Sequence, residues 1–341
     1  MQENSQNLIP ISSLTPTELV EELNLEQKFR GKQIFKWIAD GAKSFDEMTN
    51  LPAKLREDLS QKYTIFSSTV SQKLVDPDGT VKLQLTLNDN SCVETVLLLD
   101  KNKRKTACVS CQVGCAMKCA FCKTGTLGFK RNLTAYEIVE EFFHLEHECG
   151  KLDNIVFMGM GEPMLNLAEI RKAISILASP DGRNLSTRRI TLSTCGIIPG
   201  IYDLADNGPK IRLAISLTTA NEELRKELMP VAKTNSLQEL RKAIQYFIEK
   251  TGKRCTLEAA LMGGVNTDKK SAENLIQFAK DLDVHINLIP WNPVKDLPLK
   301  EPSKNECFRF YRMLEDANLN VTFRTRKGEK IGGACGQLGK I

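Results

Sequence analysis

The sequence predicts an α/β fold: a partial or full (βα) barrel with a small N-terminal helical domain and a β-hairpin extension. Three patterns along the 341 residues support this prediction. Apolar residues recur at helical spacing in the first segment, alternate as in strands in the second, and belong to strand–loop–helix repeats after residue 106. We therefore expect a helical accessory domain over 1–65, a hairpin extension and linker over 66–105, and the barrel with its C-terminal loop over 106–341.

The first two units follow from local signals. Thr15 or Thr17 can cap a helix that continues through Leu19 and Leu23, and residues 33–38 (QIFKWI) keep the helical spacing. Two alternating runs then follow, and we expect them to form a hairpin. They are residues 81–87, after a DPDG turn signal at 76–79, and residues 92–99, with the connecting turn at 88–91.

The third unit alternates predicted strands with amphipathic helices, which implies a parallel sheet. The predicted strands are 154–158, 189–193, 211–217, 255–261, 284–289 and 320–324. Examples of the predicted helices are 169–177, 237–249 and 272–282. A capping-box sequence, Thr134 to Glu137, predicts the start of one more helix.

Composition narrows the class of protein. Hydrophobic content of 41% and charged content of 26% are ordinary for a soluble protein. No apolar run approaches the ~20 residues that cross a bilayer, and the polar N-terminus does not resemble a signal peptide, so we expect a cytoplasmic protein. The net charge of +5 is modest. Three basic groups are candidate phosphate contacts. They are residues 101–105, Arg183 with Arg188 and Arg189, and Arg324 with Arg326 and Lys327.

The most informative motif is the C-x3-C-x2-C run of Cys115, Cys119 and Cys122. Three closely spaced thiolates can hold a 4Fe-4S cluster and leave one iron open. An open iron can chelate S-adenosylmethionine (SAM), whose reductive cleavage releases a radical. The alternative is a zinc site, because Cys108 with Cys111 and Cys119 with Cys122 are two C-x2-C pairs.

Polar and glycine-rich sequences follow the predicted strands, where the active sites of βα barrels form. Gly161 allows close backbone approach to a ligand, and Glu162 can accept hydrogen bonds from an ammonium group. Further donors and acceptors at strand ends are Ser193, Ser216 and Asn292. Cys335 in a GGACG loop, Cys108, and Glu94 on the alternating strand are candidate reactive groups.

Taken together, these motifs resemble the radical SAM adenosine methyltransferase family typified by RlmN and Cfr, and the overall pattern is closer to RlmN. The resemblance covers nearly the whole chain. The matching segments are 29–35 (FRGKQIF), 48–52 (MTNLP), 108–122, 158–163 (MGMGEP), 189–194 (RITLST), 227–230 (ELMP), 289–293 (IPWNP) and 334–338 (ACGQL).

The resemblance implies a role for each candidate residue. Cys115, Cys119 and Cys122 would bind the cluster. The SAM contacts would be Met158, Gly161, Glu162, Ser193, Ser216 and Asn292. Cys335 would be methylated by one SAM, a second SAM would be cleaved at the cluster, and the activated methyl group would add to adenine. Glu94 would then remove the base proton, and Cys108 would release the product by forming a disulfide with Cys335.

The implied function is methylation of an adenosine ring carbon, carbon 2 first, in 23S rRNA, with tRNA as a second candidate. The alternatives are carbon 8 or another RNA, and, in a different class, a non-catalytic zinc-stabilised RNA-binding protein. The implied electron donor is a flavodoxin or ferredoxin, and we expect a monomer. The chain departs from the family pattern at Cys111, Thr218 and Gly333.

Overall fold

The computed structural model describes residues 8–295 and 297–339. Residues 1–7 of the predicted accessory domain, and 296 and 340–341 of the predicted barrel, lie outside the described residues. Over the described part, no helix is both long and apolar enough to cross a membrane.

The N-terminal segment is mainly helical, as predicted. Its elements are β1 (Ile9–Pro10), α1 (Pro16–Glu22), α2 (Phe29–Ala39), a 3₁₀ turn (Phe45–Glu47), α3 (Ala53–Ser60) and β2 (Tyr63–Thr64). The Thr15 side chain caps α1 and forms a capping box with Glu18, which confirms one of the two predicted caps. Helix α2 buries Ile34, Phe35 and Ile38 on one face because these apolar residues recur at helical spacing.

The main sheet has ten strands. They are β3 (Thr69–Val75), β4 (Val81–Thr86), β5 (Cys92–Leu99), β6 (Lys105–Val109), β9 (Asn154–Phe157), β10 (Ile190–Thr194), β11 (Arg212–Ser216), β12 (Cys255–Leu261), β13 (Val284–Pro290) and β14 (Val321–Phe323). Their spatial order is β14-β13-β12-β11-β10-β9-β6-β5-β4-β3. Strands β6 and β9 to β14 run parallel, and the antiparallel meander β3-β4-β5 extends the β6 edge. The described sheet is therefore a partial barrel rather than a closed one.

Most of the remaining helices connect one parallel strand to the next along the chain. They are α4 (Lys123–Thr126), α5 (Ala135–Cys149), α6 (Leu167–Ala178), α7 (Ile198–Asn207), α8 (Glu222–Leu228), α9 (Leu237–Thr251), α10 (Lys269–Ala279) and α11 (Lys304–Asp316). The Thr134 side chain caps α5 in the predicted capping box with Glu137. Helix α10 ends at Ala279, three residues before the predicted end. Asp281 has a φ of +61°, which a helix does not accommodate.

The sequence patterns missed four strands near the functional edge, and one of them is β6, the parallel strand that leads to the cysteine loop. The predicted two-stranded hairpin β4-β5 is extended by β3, whose residues are half-buried or exposed and show no clean alternation. A small antiparallel pair, β7 (Gln112–Gly114) and β8 (Phe129–Asn132), brackets the cysteine motif. These strands are too short for a periodic signal.

Glu140 on α5 joins the N-terminal segment to the barrel. Its buried carboxylate accepts hydrogen bonds from the backbone N–H groups of Ser67 and Ser68, at 2.9 and 2.8 Å. The hydroxyl of Ser12 donates to the same carboxylate at 3.3 Å. Burial raises the pKa of Glu140 to about 7, although the hydrogen bonds from Ser67 and Ser68 act in the opposite direction.

Candidate active site

The three cysteines of the motif lie on a loop that the β7-β8 pair closes. Cys115 N donates to Gly128 O at 2.8 Å, where the loop begins and ends. Gly114 has a φ of +76°, and a Cβ at this position would lie 1.9 Å from Gly128 O. Only glycine allows this closure.

Distant segments of the chain hold the cysteine loop in place. Three hydrogen bonds of 2.8 Å do so: Ala120 N to Leu228 O, Trp291 Nε1 to Phe121 O, and Lys123 N to Gly336 O. The loop is thereby joined to the end of α8, to the segment after β13, and to the C-terminal loop. The cysteine loop, the end of α8, the segment after β13 and the C-terminal loop are far apart in the sequence. The fold brings them together.

One cavity of about 1030 Å³ lies at the carboxyl ends of the parallel strands. The predicted site residues that line it are Cys115, Cys119, Cys122, Met158, Gly161, Glu162, Ser193, Ser216, Asn292 and Cys335. Ten of the twelve predicted site residues therefore surround a single space. These residues come from the carboxyl ends of four parallel strands, β9, β10, β11 and β13, from the cysteine loop and from the C-terminal loop, as expected for a βα barrel.

A second cavity of about 540 Å³ adjoins the first. It is lined by Cys108, Arg324, Met158, Asn292 and Cys335, and the last three also line the larger cavity. Cys335 is thus positioned where the two cavities meet. Cys108 is buried near the end of β6, whereas Cys335 is exposed.

The environment of these two thiols sets their protonation. Desolvation raises the pKa of Cys108 to about 12. Cys335 opens onto the two cavities rather than onto the outer surface, and the protein atoms around them desolvate its thiol and raise its pKa to about 11. The Arg324 guanidinium lowers both pKa values. Arg324 is held 3.6 Å from a Glu258 carboxylate oxygen and 3.8 Å from the sulfur of Met158. A reaction that needs either thiolate would therefore be helped by Arg324.

Gly161 and Glu162 form a tight turn after β9. Gly161 has a φ of +108°, and a Cβ there would lie 2.7 Å from the Cβ of Gln112 and 2.8 Å from the sulfur of Cys111. The buried Glu162 carboxylate accepts hydrogen bonds from Cys195 N at 2.8 Å and Met164 N at 3.1 Å. Burial raises the pKa of Glu162. The turn is a rigid wall of the cavity.

Two serines and a glutamate form a polar ledge across β10, β11 and β12. Ser193 Oγ donates to Glu258 Oε2 at 3.0 Å and lies 3.3 Å from Ser216 Oγ. Thr218, at the position where the chain departs from the family pattern, lines the cavity with a φ of +62°. Such a conformation is rare for a β-branched residue and marks a constrained position.

The Asn292 side chain has a free hydrogen-bonding group that could bind a polar ligand. Its Nδ2 donates to Cys335 O at 3.0 Å, whereas its buried Oδ1 accepts no hydrogen bond from the described residues. A buried acceptor without a partner is unfavourable by about 1–3 kcal/mol. The three thiols, the crowded glycine turn and this acceptor together suit an iron-sulfur cluster with SAM beside it.

Glu94 is placed differently from the other predicted site residues. It is buried, and it is not among the residues that line either cavity. Its carboxylate accepts from Lys82 Nζ at 2.7 Å and from Gly339 N at 2.5 Å. Lys82 also donates to Gly332 O at 3.3 Å. The C-terminal loop thus lies against Glu94 in this structure.

Most arginines of the predicted phosphate-contact groups are held in ion pairs within the protein. The pairs are Arg104 with Asp100, Arg183 with Glu146, Arg189 with Asp153, Arg324 with Glu258, and Arg326 with Glu301. Arg183 is nearly buried and also donates to Leu152 O, so its role as a phosphate contact is wrong. Lys101 and Lys103 remain exposed.

Local sequence patterns gave no role near the thiols to four charged residues around the site. They are Lys82, Arg225, Glu258 and Arg324, and Arg324 was predicted only as a phosphate contact. Each acts through a contact between segments distant in sequence, for which no local pattern exists. Within the described ranges no group of three or more Cys, His, Asp or Glu side chains is preassembled around a metal-ion position, and this holds for the three motif cysteines as well as for the two C-x2-C pairs of the zinc alternative.

Comparison with known proteins gives two family matches. Residues 109–278 match the radical SAM superfamily, and residues 6–65 match the ribosomal RNA large subunit methyltransferase N-terminal domain. The chain is 61% identical over 329 residues to a Treponema denticola protein named probable dual-specificity RNA methyltransferase RlmN, covering 96% of this chain and 95% of that protein. A Treponema pallidum protein of the same name is 53% identical over 330 residues, with 97% of each chain covered.

A solved structure is similar over the same extent. The crystal structure of a radical SAM methyltransferase from Sphaerobacter thermophilus superposes with a TM-score of 0.93 and 38% identity. The match covers 97% of this chain and 99% of that one. The partial barrel, the meander and the N-terminal helices are therefore shared as one arrangement.

Proposed function

The chain belongs to the RlmN-type radical SAM RNA methyltransferases, and we propose that it methylates carbon 2 of an adenosine in 23S rRNA, with tRNA as a second substrate. Its membership of an enzyme family makes the non-catalytic zinc alternative wrong. The observation that carries the proposal is the position of Cys335, which lines both the cavity of the cysteine motif and the cavity of Cys108.

In the proposal, the predicted residues hold the cofactors implied by the family. Cys115, Cys119 and Cys122 bind the 4Fe-4S cluster, and the six residues Met158, Gly161, Glu162, Ser193, Ser216 and Asn292 surround SAM. When bound, these groups supply the methyl group and the radical that activates it. An adenine ring carbon is electron-poor, so it does not displace a methyl group from a sulfonium as a nucleophile.

Cys335 carries the methyl group. Its sulfur must lose a proton before it can accept the methyl group, and Arg324 favours that loss because it stabilises the thiolate. We propose two SAM molecules per turnover, one for the carrier and one for activation. The exposure of Cys335 leaves it accessible to a base that enters the cavity.

Release of the product requires a base and a second thiol. Glu94 takes the proton from the adenine carbon, and Cys108 attacks the Cys335 sulfur. A disulfide forms as the bond between that sulfur and the transferred carbon breaks; the bonding electrons move to the transferred carbon, which takes up a proton to become the methyl group. The single electron that radical addition leaves on the base would pass to the bound cluster. Glu94 reaches the base only after Gly339 N releases its carboxylate, so the C-terminal loop must move during the cycle.

The proposal extends to the RNA and to the cell. Residues 1–65 act as the RNA-binding accessory domain, and Phe29 is 56% exposed there with the Arg30 guanidinium 5.3 Å from its ring. Exposed aromatic and arginine side chains suit unpaired bases. We place the enzyme in the cytoplasm as a monomer that receives electrons from a flavodoxin or ferredoxin.

The two thiols give the proposal its direct test. We expect Cys335→Ala to abolish methyl transfer, and Cys108→Ala to accumulate a covalent protein–RNA adduct because the release step fails. Denaturing gel electrophoresis with labelled RNA detects the adduct. Cys307→Ala, a buried cysteine on α11 that lines neither cavity, is the matched control and should release methylated RNA normally. Free methylated RNA at normal yield from Cys335→Ala or Cys108→Ala would contradict the assignment.

A further inference from the structure

The turn between β3 and β4 holds the start of the C-terminal loop, residues 328–339. Asp78 Oδ2 accepts a hydrogen bond from Gly328 N at 3.0 Å, and Asp76 Oδ2 accepts one from Lys330 N at 3.0 Å. The bonded residues are 250 and 254 positions apart in the sequence. The hairpin and the loop are therefore joined by two carboxylates that no local pattern connects with the site.

The turn is fixed by its own hydrogen bonds. Asp76 Oδ1 accepts from Asp78 N at 3.0 Å, and Asp78 Oδ1 accepts from Thr80 N at 2.8 Å. In the backbone, Asp76 N donates to Thr80 O at 2.8 Å, and Gly79 N donates to Asp76 O at 2.9 Å. Burial raises the pKa of Asp78, but the hydrogen bonds from Thr80 and Gly328 outweigh this and keep that pKa below its ordinary value. The turn therefore presents two fixed acceptors to the N–H groups of the loop.

The far end of the loop is held by a contact that the proposed reaction must break. Gly339 N donates to Glu94, which has to be free before it can take a proton from the base. The carrier thiol of Cys335 lies between the two ends of the loop. Three glycines also lie between the ends and allow the backbone to change conformation there. They are Gly332, Gly333 and Gly336.

We infer that Asp76 and Asp78 are positioning residues that keep the start of the C-terminal loop fixed while Glu94 releases its end. Cys335 then stays where the two cavities meet throughout the cycle. A loop detached at both ends would hold the thiol in the cavities for less of the time, so turnover would fall. This inference rests on the proposed role of Cys335 as the methyl carrier.

Asparagine separates the two contacts of each carboxylate. Asp78→Asn keeps one acceptor oxygen for Thr80 N within the turn, and it replaces the oxygen that faces Gly328 N with an amide nitrogen, which only donates. Asp76→Asn makes the same change opposite Lys330 N. Both variants therefore remove the contact with the loop and preserve the turn.

Asp100→Asn is the matched control, because Asp100 is an aspartate of the turn between β5 and β6. Its Oδ1 accepts from Asn102 N at 2.7 Å and from Arg104 N at 2.9 Å, and its Oδ2 accepts from Arg104 Nε at 2.8 Å. Among the residues that the structure describes, the hydrogen bonds of this carboxylate stay within its own turn. The control makes the same change of charge without touching the C-terminal loop.

Two measurements test the anchor. Hydrogen exchange followed by mass spectrometry is applied to each protein as purified, and steady-state RNA methylation is measured after anaerobic reconstitution. We expect Asp76→Asn and Asp78→Asn to speed exchange over residues 328–333 by about tenfold, because each loses a hydrogen bond to a charged group. Both should lower kcat and leave the KM for RNA unchanged. Asp100→Asn should match the wild type, and a thermal melt checks that each variant is folded.

Three outcomes would overturn the inference. One is wild-type exchange over residues 328–333 in both loop-contact variants. Another is faster exchange with a wild-type kcat, since the contact would then not position Cys335. The third is an equal effect of Asp100→Asn. If the wild-type protein methylates no RNA, the proposed function itself fails, and the exchange measurement still decides whether the two aspartates hold the loop.

Discussion

At the scale of single residues, the cavity depends on glycines that accept a conformation closed to other residues. Gly161 combines a positive φ with crowding, because a Cβ would press on Gln112 and Cys111. Gly252 also has a positive φ, of +65°, and a Cβ there would meet nothing within 4 Å. At Gly252 only backbone strain opposes a side chain, whereas at Gly161 backbone strain and loss of space both do.

We expect Gly161→Ala to destabilise the protein by more than Gly252→Ala. The strain at Gly252, which lies in the left-handed region, is about 1–2 kcal/mol, whereas Gly161 at a φ of +108° lies outside that region and adds crowding to a larger strain. Gly161→Ala should also weaken SAM binding to the cluster-loaded protein, since the turn is a wall of the cavity. Urea unfolding and equilibrium dialysis measure the two effects. Equal destabilisation by both substitutions, with unchanged SAM affinity, would contradict this interpretation.

Residue-level chemistry was predictable only where a local pattern exists. The spacing of Cys115, Cys119 and Cys122 is such a pattern, and the fold places all three on one cavity. Arg225 lies in the charged sequence ELRKEL, which is typical of an exposed helix, and yet it is completely buried. Burial of that kind depends on contacts between distant segments, and a single sequence does not encode them in any local signal.

At the scale of elements, Glu140 on α5 clamps the segment that follows β2. Its pKa in the folded protein is about 7, above the ordinary value of 4.5. The folded state therefore binds this proton more tightly than the unfolded chain does. The stabilisation from the protonated form is complete below pH 4.5 and is lost as the pH rises through about 7.

We expect the wild-type free energy of unfolding, minus that of Glu140→Gln, to fall as the pH rises from 4.5 to above 7. The fall should be as large as about 3 kcal/mol, at about 1.4 kcal/mol for each unit of pKa shift. Taking the difference cancels His144, whose pKa burial lowers to about 4 and which contacts Ser68 Oγ. Urea titrations at five pH values measure it. Parallel stability curves for the two proteins would refute this prediction.

Elements with strong periodicity were predicted well, and short ones were not. Strands β10 to β13 are apolar runs buried in a parallel sheet, so they stand out from their polar loops. The pair β7-β8 has three and four residues, and its pairing depends on Gly114 and Gly128 meeting at the neck of the cysteine loop. The β7-β8 pair forms because it closes the cysteine loop. A pattern of apolar residues does not reveal such a closure.

At the scale of the whole molecule, two similar surface pairs lie on different parts of the chain. Phe29 with Arg30 belongs to α2, and Phe308 with Arg312 belongs to α11. The two phenylalanines are 56% and 57% exposed, and each guanidinium lies 5.3 Å from its ring centroid. Only the first pair lies in the proposed RNA-binding domain.

We expect Phe29→Ala to weaken binding of the substrate RNA by about tenfold, because loss of a stacked base is worth about 1–3 kcal/mol. Phe308→Ala should leave the affinity unchanged. Filter binding at fixed salt, with matched melting temperatures for the two variants, makes the comparison. An equal loss of affinity in both variants, or none in Phe29→Ala, would remove α2 from the proposed interface.

Composition could not predict which basic side chains of the molecule form ion pairs within the protein. The sequence showed where basic residues cluster. It did not show that Arg183 forms an ion pair with Glu146, or that Arg326 forms one with Glu301. Those ion pairs join helices and loops far apart in sequence. The RNA surface is therefore better sought among exposed groups such as Lys101 and Lys103.

The central claim is that this chain methylates carbon 2 of adenosine through Cys335. Its most direct test is mass spectrometry of nucleosides from 23S rRNA and tRNA, after incubation with the anaerobically reconstituted protein, SAM and a reductant. We expect 2-methyladenosine from the wild-type protein and none from Cys335→Ala. Methylation at carbon 8, or 2-methyladenosine at wild-type yield from Cys335→Ala, would contradict the account.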